Sequence, residues 1–205
     1  MILNLIEVFL VSILPISLIK FKVIPIKFHV PSLFIIGFIF IPGLIYLDHI
    51  SLHQIGLRTD NLYFGILIYL IGAVVSIFSL VILSKVMNTK HAENLFSNPH
   101  FRFMFIPISF AQQFLFQGFI LFKLQLVFNF LIAIIITALI FGYMHTIFPK
   151  PWLSMILSTL GGLMFATLYT IYPNIIISSI THSVLNFIAV YLGFFTFAQL
   201  ETKNI

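Results

Sequence analysis

The sequence contains no cysteine among its 205 residues. Disulfide scaffolds, thiolate zinc sites and cysteine nucleophiles are therefore excluded before any motif is considered. Charge is also scarce: Asp, Glu, Lys and Arg make up 7% of the chain, whereas a soluble globular protein carries about 25% charged residues. Because 61% of the residues are hydrophobic, the solvent of most of this surface is expected to be lipid.

Seven apolar runs, each bounded by charge or proline, follow one another along the chain. Each is long enough to cross a bilayer as a helix, the second only just. The pattern predicts an all-α polytopic membrane helical bundle of about seven transmembrane helices, with residues 1–205 as a single membrane domain. The runs fall at about residues 2–19, 31–47, 62–84, 103–122, 126–146, 152–171 and 174–197.

Lysine and arginine are unevenly divided between the two sides of such a bundle. One side would hold only Arg58 and Lys123. Because basic loops stay in the cytoplasm, this division predicts an N-terminus outside and a C-terminus inside. The net charge of +5 is then attributed to basic loops that face the cytoplasm and anionic lipid headgroups. Nucleic acid binding is not expected. The eight basic residues of the other side are Lys20, Lys22, Lys27, Lys85, Lys90, Arg102, Lys150 and Lys203.

Polar side chains lie inside three of the predicted spans. Taken singly, each is explained by a hydrogen bond between helices. Three clusters favour a shared polar cavity instead, because an unsatisfied amide in hydrocarbon is costly and apolar residues would have packed as well. A spacing of four residues places Gln113 and Gln117 on one helix face, and His182 and Asn186 on a face of another helix. The residues are Gln112, Gln113 and Gln117, then His145, and finally His182 and Asn186.

These clusters resemble the three signatures of the CAAX-protease and bacteriocin-processing family, also called the abortive-infection family. Its first signature is two adjacent glutamates, three further residues and an arginine, commonly followed by glycine. The second is a phenylalanine four residues before a histidine, and the third a histidine four residues before an asparagine. Here those places hold Gln112, Gln113, Gln117 and Gly118, then Phe141 and His145, then His182 and Asn186. The resemblance extends from about Gly56 to Asn186, with residues 103–197 as the signature-bearing core helices.

The resemblance implies the fold of an intramembrane endopeptidase, in the plasma membrane of a prokaryote. In that family a glutamate is thought to activate water, the histidines to place that water or a divalent metal such as zinc, and the asparagine to stabilise the oxyanion. His145, His182 and Asn186 retain these positions, and Gln117 and Phe141 would lie beside the substrate. Gln112 and Gln113 depart from the pattern, because a glutamine amide has no basic oxygen with which to take a proton from water.

Three hypotheses for function follow. The leading one is a protein with the endopeptidase fold that lacks the catalytic glutamates. It would bind a hydrophobic, prenylated or leader-type peptide, or a partner transmembrane helix. The first alternative is an active endopeptidase that uses His145 and His182 with water or a metal, or Glu7, the only acid well inside a predicted span, as a base. The second alternative is a small transporter or channel subunit with a polar lumen.

Overall fold

The computed structural model describes the backbone of residues 1–92 and 99–195, and the side chains of the same residues apart from 99–102. This part of the chain is helical and contains no strand, so the predicted all-α bundle is confirmed. Its helices are α1 (Ile2–Lys20), α2 (Ile26–Leu47), α3 (Leu62–Met87), α4 (99–125), α5 (Phe130–Ile147), α6 (Pro151–Ile171) and α7 (Ile175–Tyr191).

Six of these helices are long and apolar enough to cross a membrane, with residues Phe103–Gln125 forming that part of α4. The seventh, α7, is also apolar but has only 17 residues, the lower end of the range of about 17 to 25 for a spanning helix. It ends at Tyr191 rather than at residue 197, since Gly193 adopts a positive φ of 78° against the backbone of Lys90. Residues 196 and 197, Lys203 and the Arg102 side chain lie outside the described residues.

Helix α7 lies between α4 and α3, and the α5–α6 hairpin packs beside them. The hairpin is close because two glycines face the partner helix. A Cβ on Gly162 would lie 3.0 Å from the Ala138 Cα, and one on Gly142 would lie 2.8 Å from the Met155 carbonyl oxygen. This close packing brings the end of α5 alongside α6 and α7, where the sequence signatures lie.

The segment between α2 and α3 fixes where α7 begins. The Ile175 amide donates to the Gly56 carbonyl over 2.8 Å. Asn174 caps α7, because its Oδ1 accepts from the Ile177 amide at 3.0 Å while its Nδ2 donates to the Arg58 carbonyl at 3.0 Å. These bonds satisfy the free amides of the helix start. They therefore set the position of every α7 side chain, His182 included.

A buried cluster of charge joins α1, α2 and α4 at the other end of the bundle from the α7 C-terminus. The Lys123 ammonium lies 2.6 Å from the Glu7 carboxylate and also contacts the Asp48 carboxylate. Glu7 faces a separate cavity of about 370 Å³ lined by α1 and α2 residues. The candidate base Glu7 is thus engaged in an ion pair and contributes to a different cavity from the signature histidines.

Candidate functional site

The residue in the place of the family's second glutamate contacts the third signature directly. Gln113 Nε2 lies 2.8 Å from His182 Nδ1, and the Ser178 hydroxyl donates to Gln113 Oε1 over 2.5 Å. Gln113 is 1% exposed and His182 3%. Helices α4 and α7 are therefore linked through this amide in a fully desolvated position, where each hydrogen bond is strong.

The neighbouring glutamine reaches the asparagine of the same signature. Asn186 Nδ2 donates to Ser109 Oγ at 3.1 Å and makes a long contact of 3.5 Å with Gln112 Oε1. The predicted turn of about 100° between Gln112 and Gln113 separates their partners, so that each meets a different residue of α7. Both glutamines thus face α7, one beside the histidine and one beside the asparagine.

The second signature supplies the ring that lies between the two histidines. The Phe141 ring centroid is 4.7 Å from that of His145 and 5.6 Å from that of His182. His145 Nδ1 is 2.8 Å from the Phe141 carbonyl oxygen, one helical turn earlier. His182 also packs against Phe165 of α6, with a centroid separation of 4.9 Å. The two imidazoles are therefore held in fixed orientations around one aromatic side chain.

Gln117 stands apart from this network. Residues Phe114–Leu121 of α4 form a π-helical segment that begins directly after Gln113, so the regular spacing of four does not apply there. Gln117 Oε1 is buried without a hydrogen-bond partner among the described residues. The next residue, Gly118, explains the glycine of the first signature, because a Cβ there would lie 2.8 Å from the Ile175 side chain.

A cavity of about 560 Å³ lies between α3, α6 and α7, and His145, His182 and Asn186 line its polar end. Its walls are otherwise apolar, apart from three serines. Val75 of α3 and Leu160 of α6 line the cavity and are more than half exposed, so it opens sideways at the lipid-facing surface between these helices. Gln112, Gln113 and Gln117 are behind its surface. The volume falls within the range of about 300 to 1,000 Å³ that is typical of ligand pockets.

The described residues do not form a zinc site. No group of three or more His, Asp or Glu side chains among them is close enough to hold a metal ion. A catalytic zinc site normally has three protein ligands, and His145 and His182 supply two. Gln113 Nε2 occupies the Nδ1 side of one of them.

Several contributors to this site carry no signal in the sequence. Ser178 and Ser109 each hold one site residue, but single serines in a membrane helix are common. Helix α3 supplies one whole wall of the cavity, yet it is apolar on all sides, so its sequence does not show which face is functional. Only the spacing of four between Ser178 and His182 places that serine on the face of the histidine.

Residues 95–188 match a family described as type II CAAX prenyl endopeptidase Rce1-like. Neither the comparison with curated proteins nor the comparison with solved structures found a match. All three signatures lie within the matched residues, and the apolar helices indicate an integral membrane protein. The match supports membership of the chain in the CAAX-protease family.

Proposed function

We propose that this protein binds a hydrophobic or lipidated peptide, or a partner's transmembrane segment, inside the membrane without cleaving it. The observation that carries the proposal is that Gln113, a neutral amide, is bonded to His182 in the position where the family has a glutamate. A glutamine holds a hydrogen bond there but takes no proton. The ligand cavity is retained, whereas the general base is missing.

The chemistry argues against ordinary proteolysis. General-base assistance by a positioned carboxylate is worth about 10²- to 10⁴-fold in rate. Position 112 also has a glutamine where the family signature has a glutamate. Glu7 is paired with Lys123 beside another cavity. No carboxylate among the described residues lines the cavity that holds His145 and His182. The rate of peptide hydrolysis is expected to fall by at least that factor.

The shape of the cavity favours a ligand that arrives through the lipid. Ile71, Val75 and Leu160 line it and face outward, so an apolar chain reaches it without crossing water. Burial of apolar surface contributes roughly 25 cal/mol per Å². An apolar segment that carries one neutral polar group fits this cavity. Its apolar part packs against the apolar walls, and its polar group lies beside the two histidines.

The proposal includes an orientation in a prokaryotic plasma membrane, with the N-terminus outside and the C-terminus in the cytoplasm. Among the described residues, all three carboxylates lie at the end predicted to be outside, paired with Arg58 or Lys123. No carboxylate among the described residues lies at the other end of the bundle. The lining residues extend from Ile68 to Leu83 on α3 and from His182 to Ala189 on α7, so in this orientation the cavity extends from the middle of the membrane toward its cytoplasmic side.

Two glycines allow a matched test of binding. A Cβ on Gly161 or on Gly43 would have no atom within 4 Å, but only Gly161 lines the large cavity. We expect Gly161→Phe to abolish photo-crosslinking of a prenylated peptide to the protein in lipid nanodiscs, and Gly43→Phe to leave it unchanged. Equal crosslinking in both variants, with both folded, would contradict binding in this cavity.

A further inference from the structure

The cavity between α1 and α2 is separate from the one that holds the signature histidines. Its volume is about 370 Å³, within the range that is typical of ligand pockets. Of the described residues that line it, Glu7 is ionisable and all the others are apolar. Leu10 and Phe40 are among the lining residues and are exposed. The cavity therefore opens to the lipid, and an apolar molecule reaches it from the bilayer.

Both helices depart from regular α-helical geometry along this cavity. Helix α1 contains a π-helical segment at Phe9–Ile13, and α2 contains one at Ile36–Phe40. Four of the seven residues that line the cavity belong to these two segments. Segments of this kind are rare in helices and are frequently found at functional sites. Their position on both walls indicates that the cavity is a binding site and not a gap in packing.

The Glu7 carboxylate at one end of the cavity has unused capacity to accept hydrogen bonds. Glu7 is 7% exposed. Its Oε2 lies 2.6 Å from the Lys123 ammonium but accepts no hydrogen bond from the described residues, because Lys123 donates to Asp48 and Asn4. The ion pairs of this cluster set two carboxylates against one ammonium. One negative charge is therefore left without a cation in a position where charge needs a partner.

We propose that this cavity binds a long-chain primary amine that enters from the bilayer. The ammonium donates to the Glu7 carboxylate and supplies the missing positive charge, while the alkyl chain packs against the two π-helical segments. The lining residues of α1 extend from Glu7 to Pro15, about 12 Å along a helix, so the charge is at one end of an elongated apolar space. A fatty acid would add a like charge, and an alcohol would leave the carboxylate uncompensated. The site is independent of the proposed function, which concerns the other cavity.

Photo-crosslinking of dodecylamine that carries a diazirine on its chain tests the head group in phosphatidylcholine nanodiscs. We expect saturable labelling of α1 and α2, located by mass spectrometry, that unlabelled dodecylamine displaces and that dodecanol and dodecanoic acid do not. Glu7→Gln keeps the ion pair of Lys123 with Asp48, and it should reduce labelling by about 10-fold or more, the loss of one charged hydrogen bond. Equal displacement by dodecanol, or undiminished labelling of Glu7→Gln, overturns the amine site.

Two tryptophan substitutions on α2 test the location without changing any charge. Leu44 lines the cavity, whereas Leu47 is 70% exposed and does not line it. Leu44→Trp should abolish the labelling, and Leu47→Trp and Gly161→Phe should leave it unchanged. Persistent labelling of Leu44→Trp, or its loss in Gly161→Phe, overturns this location and leaves the proposed function standing. Weaker labelling in nanodiscs of phosphatidylethanolamine, whose head group also has a primary ammonium, overturns the single-chain amine as the occupant.

Discussion

Gln113 Nε2 lies 2.8 Å from His182 Nδ1, so the substituted position of the first signature is bonded to the histidine of the third. The bond is buried and joins α4 to α7. A glutamate at this place would meet the same two partners, Ser178 and His182. The scaffold around the missing base therefore retains the contacts that such a base would use.

Restoration of the first signature should restore some cleavage. The triple change Gln112→Glu, Gln113→Glu and Gln117→Arg returns both carboxylates and the cation of the first signature. We expect measurable cleavage of prenylated test peptides by this variant, and loss of that cleavage when His145→Ala or His182→Ala is added. A folded triple variant that binds peptides but does not cleave them would show that the loss of activity lies beyond these three positions.

The single change Gln113→Glu should be poorly tolerated. The glutamine is 1% exposed, and its hydrogen-bond partners, Ser178 and His182, are not permanent cations, so the single variant has a new carboxylate without the arginine of the signature. An uncompensated buried charge costs about 3 to 5 kcal/mol. We expect a lower midpoint of thermal unfolding in detergent than in the triple variant. A midpoint equal to that of the wild type would mean that the carboxylate is protonated or has access to water.

The charged cluster of Lys123 should be essential for packing α1 and α2 against α4. Lys123→Met leaves the Glu7 carboxylate, which lies 2.6 Å away in the native chain, without its cation. We expect a loss of about 3 to 5 kcal/mol of stability, measured by thermal unfolding. The double variant Glu7→Gln and Lys123→Met should recover part of it. A double variant less stable than Lys123→Met would contradict this account of the pair.

Gly56 should be needed for the correct start of α7. Its φ of +70° strains any other residue, and its Cβ would collide with the Tyr169 side chain. The left-handed conformation alone costs about 1 to 2 kcal/mol. We expect Gly56→Ala to lower the unfolding midpoint and to weaken peptide binding, because His182 shifts with α7. Gly43→Ala is the control, and equal effects of the two changes would refute the role assigned to Gly56.

The absence of cysteine gives a clean background for testing orientation. Asn88 and Thr59 are exposed and lie in loops at opposite ends of the bundle. In intact cells, a membrane-impermeant thiol reagent should modify Thr59→Cys and leave Asn88→Cys unmodified until the membrane is opened. The reverse pattern would invert the proposed topology.

The sequence predicts the membrane-spanning helices and the approximate place of the site. Long apolar runs predict the helices, and buried polar residues indicate where they meet. The π-helical segment Phe114–Leu121 is missed, because its hydrogen-bond register depends on packing against neighbouring helices. The two carboxylate partners of Lys123 are also missed. Glu7 and Asp48 are distant from Lys123 in the sequence, and no periodicity connects the three residues.

The apolar wall of the cavity is the clearest case of information that the sequence does not carry. Helix α3 is largely hydrophobic on every face. Its sequence therefore does not show which of its residues contact lipid and which line the cavity. The close approach at Gly72, whose Cβ would lie 2.8 Å from the Leu168 side chain, and the Ser76 hydroxyl at 3.0 Å from Met164 Sδ are among the contacts that show where α3 meets α6.

Binding without cleavage can be tested on the purified wild-type protein in a single experiment. A prenylated peptide with a donor and a quencher on opposite sides of its apolar segment is added to the protein in nanodiscs, and crosslinking and fluorescence are followed together. We expect saturable crosslinking that Gly161→Phe removes, with no rise in fluorescence. A rise in fluorescence that is lost in His182→Ala would contradict it, because it would identify an active endopeptidase.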